Sequence, residues 1–270
     1  MKLISKISIV TISFNQAKYL RQCIDSVLLQ DYPNFEYIIV DPGSTDGSRE
    51  IIESYGERVI KVFEKDNGPA DGLNKGFGLA TGDIFCYLNS DDAFLDDAFK
   101  NVAEFFLAKN VVDVVCGHGN IIDGESNYKR HVFSDSFSIQ AAAYGAALAI
   151  QPSTFFRQEI YKHAGGFNSN NKSNWDGELL IDMALAGASI EILDKFLSCY
   201  RVHGESITGT GRLANLHAEH SSRMFEKIMH RPYKKHDDFL RIYYRIKKHF
   251  KNPIATFERI VHGPIFGTQN

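Results

Sequence analysis

The chain has 270 residues, a length that suits one large domain with an appendage better than two independent domains. Hydrophobic residues make up 44% of it and charged residues 23%, which is typical of a globular protein whose core needs no disulfide bonds. The formal net charge of -3 argues against a general nucleic-acid-binding protein, because a surface that follows phosphates carries a basic excess.

The cysteines and the hydropathy pattern indicate in which compartment of the cell the protein resides. The four cysteines form no CxxC pair, and three lie in apolar stretches, so we expect buried free thiols in a reducing compartment. The segment 1–6 is too short and polar for a signal peptide, and no apolar run reaches transmembrane length. We therefore expect a cytoplasmic protein, or one held peripherally on the inner face of the membrane.

Strands and helices are predicted to alternate along the first half of the chain. The predicted strands are 7–12, 37–40, 59–63, 84–88 and 111–116. Amphipathic helices are predicted between them, one of them at 69–80. This alternation predicts an α/β fold with a mostly parallel, Rossmann-like central sheet and helices on both faces. Further along, helices are predicted at 160–166 and 179–186 and a strand at 190–193.

Polar residues follow three of the predicted strands, at 11–15, 41–44 and 89–92. Ligands of open α/β sheets bind outside the carboxyl ends of the strands. We therefore expect these three segments to meet at one ligand-binding edge.

The last part of the chain, 213–270, is predicted to be a helical tail rich in aromatic and basic residues. Apolar side chains recur there at helical spacing among many cations, and they are Phe239, Ile242, Tyr243, Ile246 and Phe250. We interpret the tail as a helix that packs its apolar face on the rest of the protein. The alternative is docking on an anionic membrane surface.

Adjacent carboxylates at Asp91 and Asp92 follow the strand 84–88. Two neighbouring negative charges repel each other, and a divalent cation would stabilise them, since Mg²⁺ and Mn²⁺ prefer oxygen ligands. Taken alone, a second interpretation is favoured, in which the residues 90–92 cap the following helix.

Several further motifs, which follow one another in a fixed order along the chain, favour the cation site over the helix cap. They lie at residues 7–15, 26–36, 39–41, 43–48, 67–76, 80–83 and 88–92. In this order they resemble the inverting glycosyltransferases of family 2, which have the GT-A fold, and the resemblance covers about residues 5–210. It implies a glycosyltransferase domain at 1–212, with a nucleotide-binding part at about 1–117 and an acceptor-side part at about 118–212.

The resemblance also implies a donor site. The residues expected to bind the donor nucleotide are Thr11, Ser13, Asn15, Asp41, Asp71, Lys75, Ser90 and Asp91. Thr11, Ser13 and Asn15 would act partly through backbone groups. Asp41 would accept a hydrogen bond from the base or ribose, and Lys75 would approach the phosphates. Where many members of the family carry a second acid, this chain has Pro42.

The metal expected from the resemblance is Mn²⁺ or Mg²⁺, bound by Asp91, Asp92 and His203. The first acid of the family's metal motif is Asn89 here, which would be a neutral ligand or a supporting group. For His203 the alternative is a structural role, since a lone histidine is more often structural than a ligand.

The general base is expected at Asp176, with Glu178 as the second choice. The alternative for Asp176 is a helix N-cap. Trp175 beside it would either stack on a sugar or pack in the core. The segment 151–157 also matches the family, and we expect it to line the acceptor side.

The expected function is metal-dependent transfer, with inversion, from a nucleotide-diphosphate sugar to a carbohydrate or lipid-linked glycan. UDP is the first choice of nucleotide, with GDP and dTDP open, and the expected setting is bacterial polysaccharide or lipopolysaccharide biosynthesis. A nucleotidyltransferase is the enzymatic alternative, although a glycine-rich basic loop is missing after the first strand. An oxidoreductase is disfavoured because no GxGxxG follows that strand. The non-enzymatic alternative is a nucleotide-sugar-binding protein without catalysis.

Overall fold

The computed structural model describes residues 4–204 and 214–263, with only the backbone for 214–218. The first half alternates strands and helices as predicted. Its strands are β1 (Ile7–Ile12), β2 (Phe35–Val40), β3 (Ile60–Val62) and β4 (Ile84–Asn89). Its helices are α1 (Ala17–Leu28), α2 (Ser48–Ser54), α3 (Pro69–Leu79) and α4 (Ala98–Ala108).

The remaining strands are more numerous than the sequence pattern indicated. They are β5 (Ala93–Phe94), β6 (Val114–Ile122), β7 (Tyr128–Val132), β8 (Thr154–Arg157) and β9 (Ile190–Arg201). The helices are α5 (Ile139–Ala143), α6 (Gln158–His163) and α7 (Trp175–Leu185), followed by the tail helices α8 (Ala214–Met229), α9 (Asp237–Lys251) and α10 (Pro253–His262). The predicted helical tail is confirmed, although its first residue, 213, lies outside the described residues.

The described strands form one sheet in the order β3-β2-β1-β4-β8-β6-β9-β5, with β7 paired to β6. The strands β3, β2, β1 and β4 are parallel, and so are β6 and β9. The short strand β8 runs antiparallel to both β4 and β6 and separates them. The predicted strand at 111–116 therefore does not lie beside β4. Strands from both predicted parts, 1–117 and 118–212, belong to this sheet.

Helices cover both faces of the sheet, so its parallel strands are buried on both sides. Along β1, Ile7 and Ile9 join a core cluster with residues of α1, α2 and α4. Val10 points to the other face and joins a second cluster with residues of α3, α6 and α7. The predicted α/β class with helices on both faces is confirmed.

The parallel register places the polar segments at one edge. Ile12, the last residue of β1, pairs with Val40 in β2 and with Asn89 in β4. The segments that follow these residues therefore leave the sheet side by side, as predicted.

The helix α9 of the tail turns its apolar face outward, whereas the prediction was that this face packs on the rest of the protein. The side chains expected to be buried are more than half exposed, and they are Phe239, Ile242, Tyr243, Ile246 and Phe250. The helix α9 contacts the protein instead through Asp237, which is fully buried and accepts hydrogen bonds from Arg231 and Tyr144. The interpretation that the apolar face packs inward is therefore wrong. In the described ranges, no helix combines the length and hydropathy that a membrane crossing requires.

The close contact between α3 and the sheet depends on Gly76, and Gly78 in the same helix supplies a matched control. A Cβ at residue 76 would overlap the side chain of Val10, whereas one at Gly78 would meet nothing within 4 Å. We expect Gly76→Ala to lower the free energy of unfolding by about 1–3 kcal/mol through overpacking. Gly78→Ala should raise it by about 0.5–1 kcal/mol, because alanine favours the helix. Urea titrations of both variants check this, and similar values for the two would contradict the packing.

Candidate active site

The carboxylate of Asp41 lies at the end of β2 and organises the loop that follows. It is fully buried, and it accepts hydrogen bonds from the backbone N–H groups of Gly43 (2.9 Å) and Ser44 (2.8 Å) and from the Ser44 hydroxyl (2.6 Å). The Arg49 guanidinium pairs with it at 3.1 Å. Burial alone would raise the pKa of Asp41, but these hydrogen bonds outweigh it and the pKa is lowered. Asp41 is therefore an ionised group that shapes the loop.

Asn15 links the loop after β1 to the loop after β2 through hydrogen bonds. Its backbone N–H donates to the Ser44 hydroxyl (2.8 Å), and its side-chain oxygen accepts from the Thr45 N–H (2.9 Å). Asn15 has a φ of 52°, a left-handed conformation that asparagine tolerates better than most residues. The side chain predicted to contact the nucleotide thus also sets the distance between the two loops.

Thr11 and Ser13 were both predicted to contact the nucleotide, but they differ in the hydrogen-bond partners of their hydroxyl groups. Thr11 is buried in the core, where its hydroxyl lies 2.9 Å from the Tyr37 hydroxyl. A nucleotide contact through the Thr11 side chain is therefore not supported, because that side chain lies inside the sheet. Ser13 comes after the strand has ended, and among the described residues its buried hydroxyl has no hydrogen-bond partner. Ser13 therefore fits a donor-binding role.

Asp71 and Lys75 lie on α3, next to the loop that precedes it. Asp71, in the first turn, accepts hydrogen bonds from the backbone N–H (2.9 Å) and side-chain amide (3.2 Å) of Asn67. The Lys75 ammonium donates to the Lys65 carbonyl and lies 3.9 Å from Glu64. Lys75 is thus paired with oxygens of the loop before α3, and its contact with the phosphates stays a prediction.

The acidic motif leaves β4 as predicted, and its neutral first residue has a supporting role. The Asn89 amide donates to the Gln151 side chain (3.0 Å), whose own amide donates to the Tyr87 carbonyl (2.8 Å). Ser90 is buried beside it. The carboxylate of Asp91 lies 3.2 Å from Nε2 of His203, so the structure brings together two of the three predicted metal ligands.

Asp92 is almost fully buried, with one oxygen in use. Its Oδ1 accepts the backbone N–H of Arg201 (2.8 Å), while Oδ2 has no partner among the described residues. Burial, and then the negative charge of Asp91, raises the pKa of Asp92 well above its usual value. An unpartnered buried carboxylate oxygen is costly, so Oδ2 keeps the capacity to accept a further donor.

Arg201, at the end of β9, holds the acidic loop and was missed as a site residue. Its guanidinium is buried, and it donates to the Asp91 carbonyl (2.7 Å), the Asp123 carbonyl (2.8 Å) and the Gln22 side chain (2.7 Å). It also lies over the ring of Tyr19, 4.6 Å from its centroid. The sequence signal was a single cation directly after an apolar strand, in the stretch 200–209, of which 205–209 lies outside the described residues.

The groups at this loop fit a divalent cation. The Asp91 carboxylate and the His203 imidazole lie 3.2 Å apart, and an oxygen ligand beside a ring nitrogen would suit Mn²⁺ or Mg²⁺. Within residues 4–204 and 214–263, no group of three or more His, Cys, Asp or Glu side chains is arranged to hold a metal. Such a cation would therefore take its remaining ligands from phosphates and water, as Mg²⁺ does in many enzymes.

Asp176 lies in the first turn of α7. It is half-buried, and the N-cap residue Asn174 makes no capping bond through its side chain. Burial raises the pKa of Tyr87 well above its usual value, and the negative charges of Asp176 and Asp92 raise it further. Both carboxylates therefore lie near the same phenol, so the predicted base and the predicted metal motif share one region.

Glu178, the second choice for the base, is a structural residue. It is 2% exposed, and its carboxylate accepts hydrogen bonds from Asn168 (3.0 Å), Asn171 (2.7 Å) and Arg223 of α8 (2.7 Å). Burial opposes ionisation, but these bonds outweigh it and lower the pKa of Glu178. A carboxylate so fully paired does not fit a general base. Trp175 is buried in the second core cluster, which supports packing over sugar stacking.

The segment 151–157, expected at the acceptor side, divides into two ends. Gln151 contacts Asn89 and Tyr87 at the site. At the other end of β8, Arg157 donates to the carbonyls of Val112 (2.8 Å) and Asn110 (3.2 Å). Only the start of the segment therefore lies near the acidic loop.

The contrast between Thr11 and Ser13 can be tested with UDP, the nucleotide that the resemblance implies. Thr11→Val leaves the buried Tyr37 hydroxyl without its best partner, so we expect a loss of about 1–3 kcal/mol in stability with unchanged UDP affinity. Ser13→Ala removes a hydroxyl without a partner, so stability should hold while UDP binding weakens about tenfold. Urea unfolding and calorimetric titration with UDP and Mn²⁺ measure the two effects. Equal losses of UDP affinity would contradict the assignment.

The role of Glu178 predicts a pH effect on stability. Because folding lowers its pKa, its contribution is complete above the unfolded value of about 4.3 and is lost as the pH falls through the folded value. Glu178→Gln should cost about 1–3 kcal/mol at neutral pH and flatten the fall in stability below about pH 5. Exposed Glu159→Gln is the control and should change neither. Melting curves across this pH range decide, and a normal stability for Glu178→Gln would refute the role.

Two curated relatives are similar to this chain over most of its length. An uncharacterised glycosyltransferase of Nostoc sp. is 30% identical over 212 residues, which cover 74% of this chain and 65% of the relative. A PGL/p-HBAD biosynthesis glycosyltransferase of Mycobacterium bovis is 29% identical over 176 residues, covering 63% of this chain and 66% of the relative. The chain thus spans less than two thirds of the length of each.

Solved structures share the fold at low sequence identity. TarS of S. aureus, in complex with UDP-GlcNAc, matches with a TM-score of 0.70 and 17% identity over 96% of this chain and 76% of that chain. The mannosyltransferase PcManGT of Pyrobaculum calidifontis, in complex with GDP-Man and Mn²⁺, matches with a TM-score of 0.65 and 18% identity over 98% and 77%. The predicted GT-A type of α/β fold is confirmed.

A family model settles the relationship. The model of glycosyl transferase family 2 matches residues 8–165, more than half of the 270 residues, and the matched range includes the loop after β1, Asp41 and the acidic motif. This chain belongs to glycosyl transferase family 2.

Proposed function

We propose that the protein transfers a sugar, with inversion, from a nucleotide-diphosphate sugar to an acceptor hydroxyl. The observation that carries the proposal is the pairing of Asp91 with His203 next to Asp92, together with the effect of both Asp92 and Asp176 on the pKa of Tyr87, which indicates that the two carboxylates lie near the same phenol. Such an arrangement suits a reaction that needs a base at one end and charge stabilisation at the other. A UDP-sugar is the proposed donor, supported by the fold shared with TarS in its UDP-GlcNAc complex.

The donor would lie across the edge formed by the loops after β1, β2 and β4. The unpartnered Ser13 hydroxyl would bond the nucleotide, and the loop held by Asp41 and Asn15 would frame it. Three of the four donors to Asp41 bond Oδ1 and one bonds Oδ2, so its proposed contact with the base or ribose would use the remaining capacity of Oδ2.

Mn²⁺ or Mg²⁺ would be held by Asp91 and His203, with phosphate oxygens and water as the other ligands, and the predicted third ligand Asp92 would support the loop through Arg201. When bound, the metal acts as a Lewis acid that neutralises charge on the departing diphosphate. Arg201 keeps the acidic loop in place through the Asp91 carbonyl and the Asp92 carboxylate. Because that support is already built, little reorganisation is needed when the diphosphate leaves.

The Asp176 carboxylate would take the proton of the acceptor hydroxyl as that oxygen attacks the anomeric carbon. Attack from the face opposite the diphosphate inverts the configuration there. We propose a carbohydrate or a lipid-linked glycan as the acceptor, in the assembly of a bacterial surface polysaccharide or lipopolysaccharide. The similarity to the mycobacterial PGL/p-HBAD biosynthesis glycosyltransferase supports a biosynthetic role of this kind.

The experiment begins with thermal melting in the presence of Mn²⁺ and a panel of nucleotide sugars, because a ligand of the folded state raises the melting temperature. The stabilising sugar is then used for transfer assays with Asp176→Asn, which should bind the donor normally but lose about a hundredfold to ten-thousandfold in kcat. Asp91→Ala should lose the Mn²⁺-dependent part of donor binding. Exposed Asp96→Asn, close to the acidic loop, is the control and should behave as the wild type.

Three outcomes would contradict the proposal. Normal transfer by both Asp176→Asn and Asp91→Ala would remove the assigned roles. Release of pyrophosphate instead of a nucleoside diphosphate would indicate a nucleotidyltransferase. Donor binding without transfer or hydrolysis across a broad acceptor panel would indicate a nucleotide-sugar-binding protein.

A further inference from the structure

The helices α9 and α10 are attached to the rest of the protein through polar groups. The buried carboxylate of Asp237 accepts a hydrogen bond from the Tyr144 hydroxyl at 3.0 Å. Asp135, which precedes α5, pairs with Lys248 of α9 at 2.9 Å and with Arg259 of α10 at 3.0 Å. These ion pairs fix which face of each helix is turned inward.

The outward faces of the two helices are therefore apolar. On α9 the side chains that are more than half exposed are Phe239, Ile242, Tyr243, Ile246 and Phe250. On α10 they are Ile254, Phe257, Ile260 and Val261. This is the reverse of an ordinary amphipathic surface helix, whose apolar side faces the core. Nine large apolar side chains on adjacent helices form a patch of the kind that marks an interaction site.

The charges around this patch are mostly positive. Arg245, Lys247 and Lys251 are exposed along α9, and within the described ranges none of them is paired with a carboxylate. Asp238, the acidic residue nearest them on α9, is already paired with Arg241 at 3.2 Å. Cations beside a broad apolar face are typical of helices that lie in the interface of an anionic bilayer.

A second copy of the chain suits the patch less well. In a symmetric dimer the same patch meets itself, so the cations of one copy would approach those of the other. Such like-charge contacts oppose association. Anionic lipid headgroups, in contrast, neutralise the same cations.

We propose that the outer face of α9 and α10 docks on an anionic lipid bilayer. The nine apolar side chains enter the boundary between headgroups and acyl chains, while Arg245, Lys247 and Lys251 lie at the level of the phosphates. This surface is separate from the site for sugar transfer, and its function does not depend on that activity.

The first test is co-sedimentation of the full chain with large vesicles, in the absence of nucleotide sugars. Binding is expected to vesicles of equimolar phosphatidylcholine and phosphatidylglycerol, to be weak with phosphatidylcholine alone, and to fall as NaCl screens the charges. No binding to the anionic vesicles, or equal binding to both kinds, overturns the proposal.

Variants then locate the surface. Phe239→Ser with Phe250→Ser should lower the partition coefficient at least about tenfold, and Arg245→Gln with Lys247→Gln should lower it about tenfold. The matched control is Leu29→Ser with Val111→Ser, because these side chains are 81% and 76% exposed and lie elsewhere. The control should bind vesicles normally, and an equal loss there overturns the assignment to α9 and α10. Because all these side chains are exposed, melting temperature and donor binding should stay unchanged in every variant.

Sedimentation equilibrium distinguishes a lipid bilayer from a second copy of the chain as the partner of this face. A monomer in solution that binds anionic vesicles supports the proposal. A dimer that becomes monomeric in the Phe239→Ser, Phe250→Ser variant assigns the face to a second copy and overturns it.

Discussion

The candidate site depends on the hydrogen bonds that the buried guanidinium of Arg201 donates. A buried cation is costly unless its donors are satisfied, and here they reach backbone carbonyls, a hydroxyl and a side-chain amide instead of carboxylate oxygens. The acidic loop is therefore held firmly while its carboxylates keep oxygens for another partner. Had Arg201 formed a bidentate pair with Asp91 or Asp92, those oxygens would no longer be available to a metal.

Elsewhere in the site, too, some residues support the loops while others keep polar groups for a ligand. Asp41 and Asn15 satisfy most of their hydrogen bonds within the two loops that they join, whereas the Ser13 hydroxyl between those loops has no partner in the described chain. On α7, Glu178 is paired with Arg223 of the tail, whereas Asp176, two residues earlier, raises the pKa of Tyr87 through its negative charge. Neighbouring residues of one type thus divide structural and chemical roles according to their burial and their partners.

Much of the first half of the fold could be predicted, because buried parallel strands such as 7–12 are short apolar runs separated by helical patterns. The position of β8 could not, since a four-residue strand carries no periodic signal and its pairing is decided by distant segments. Arg201 was missed for a related reason: its partners Gln22, Asp91 and Asp123 are far away in sequence. In the tail, helical spacing predicted the helix but not which side faces the core, because a periodic pattern is the same for both packings.

The antiparallel strand β8 has a consequence for synthesis on the ribosome. At Ile84 and Phe85, one edge of β4 is paired only by β8, which the ribosome makes much later than β4 itself. Throughout that interval the parallel half of the sheet has an apolar strand with unpaired N–H and C=O groups, a template on which nascent chains aggregate. Timely closure by Thr154–Arg157 thus protects the growing polypeptide, so slow translation between these strands would lower the yield of native protein.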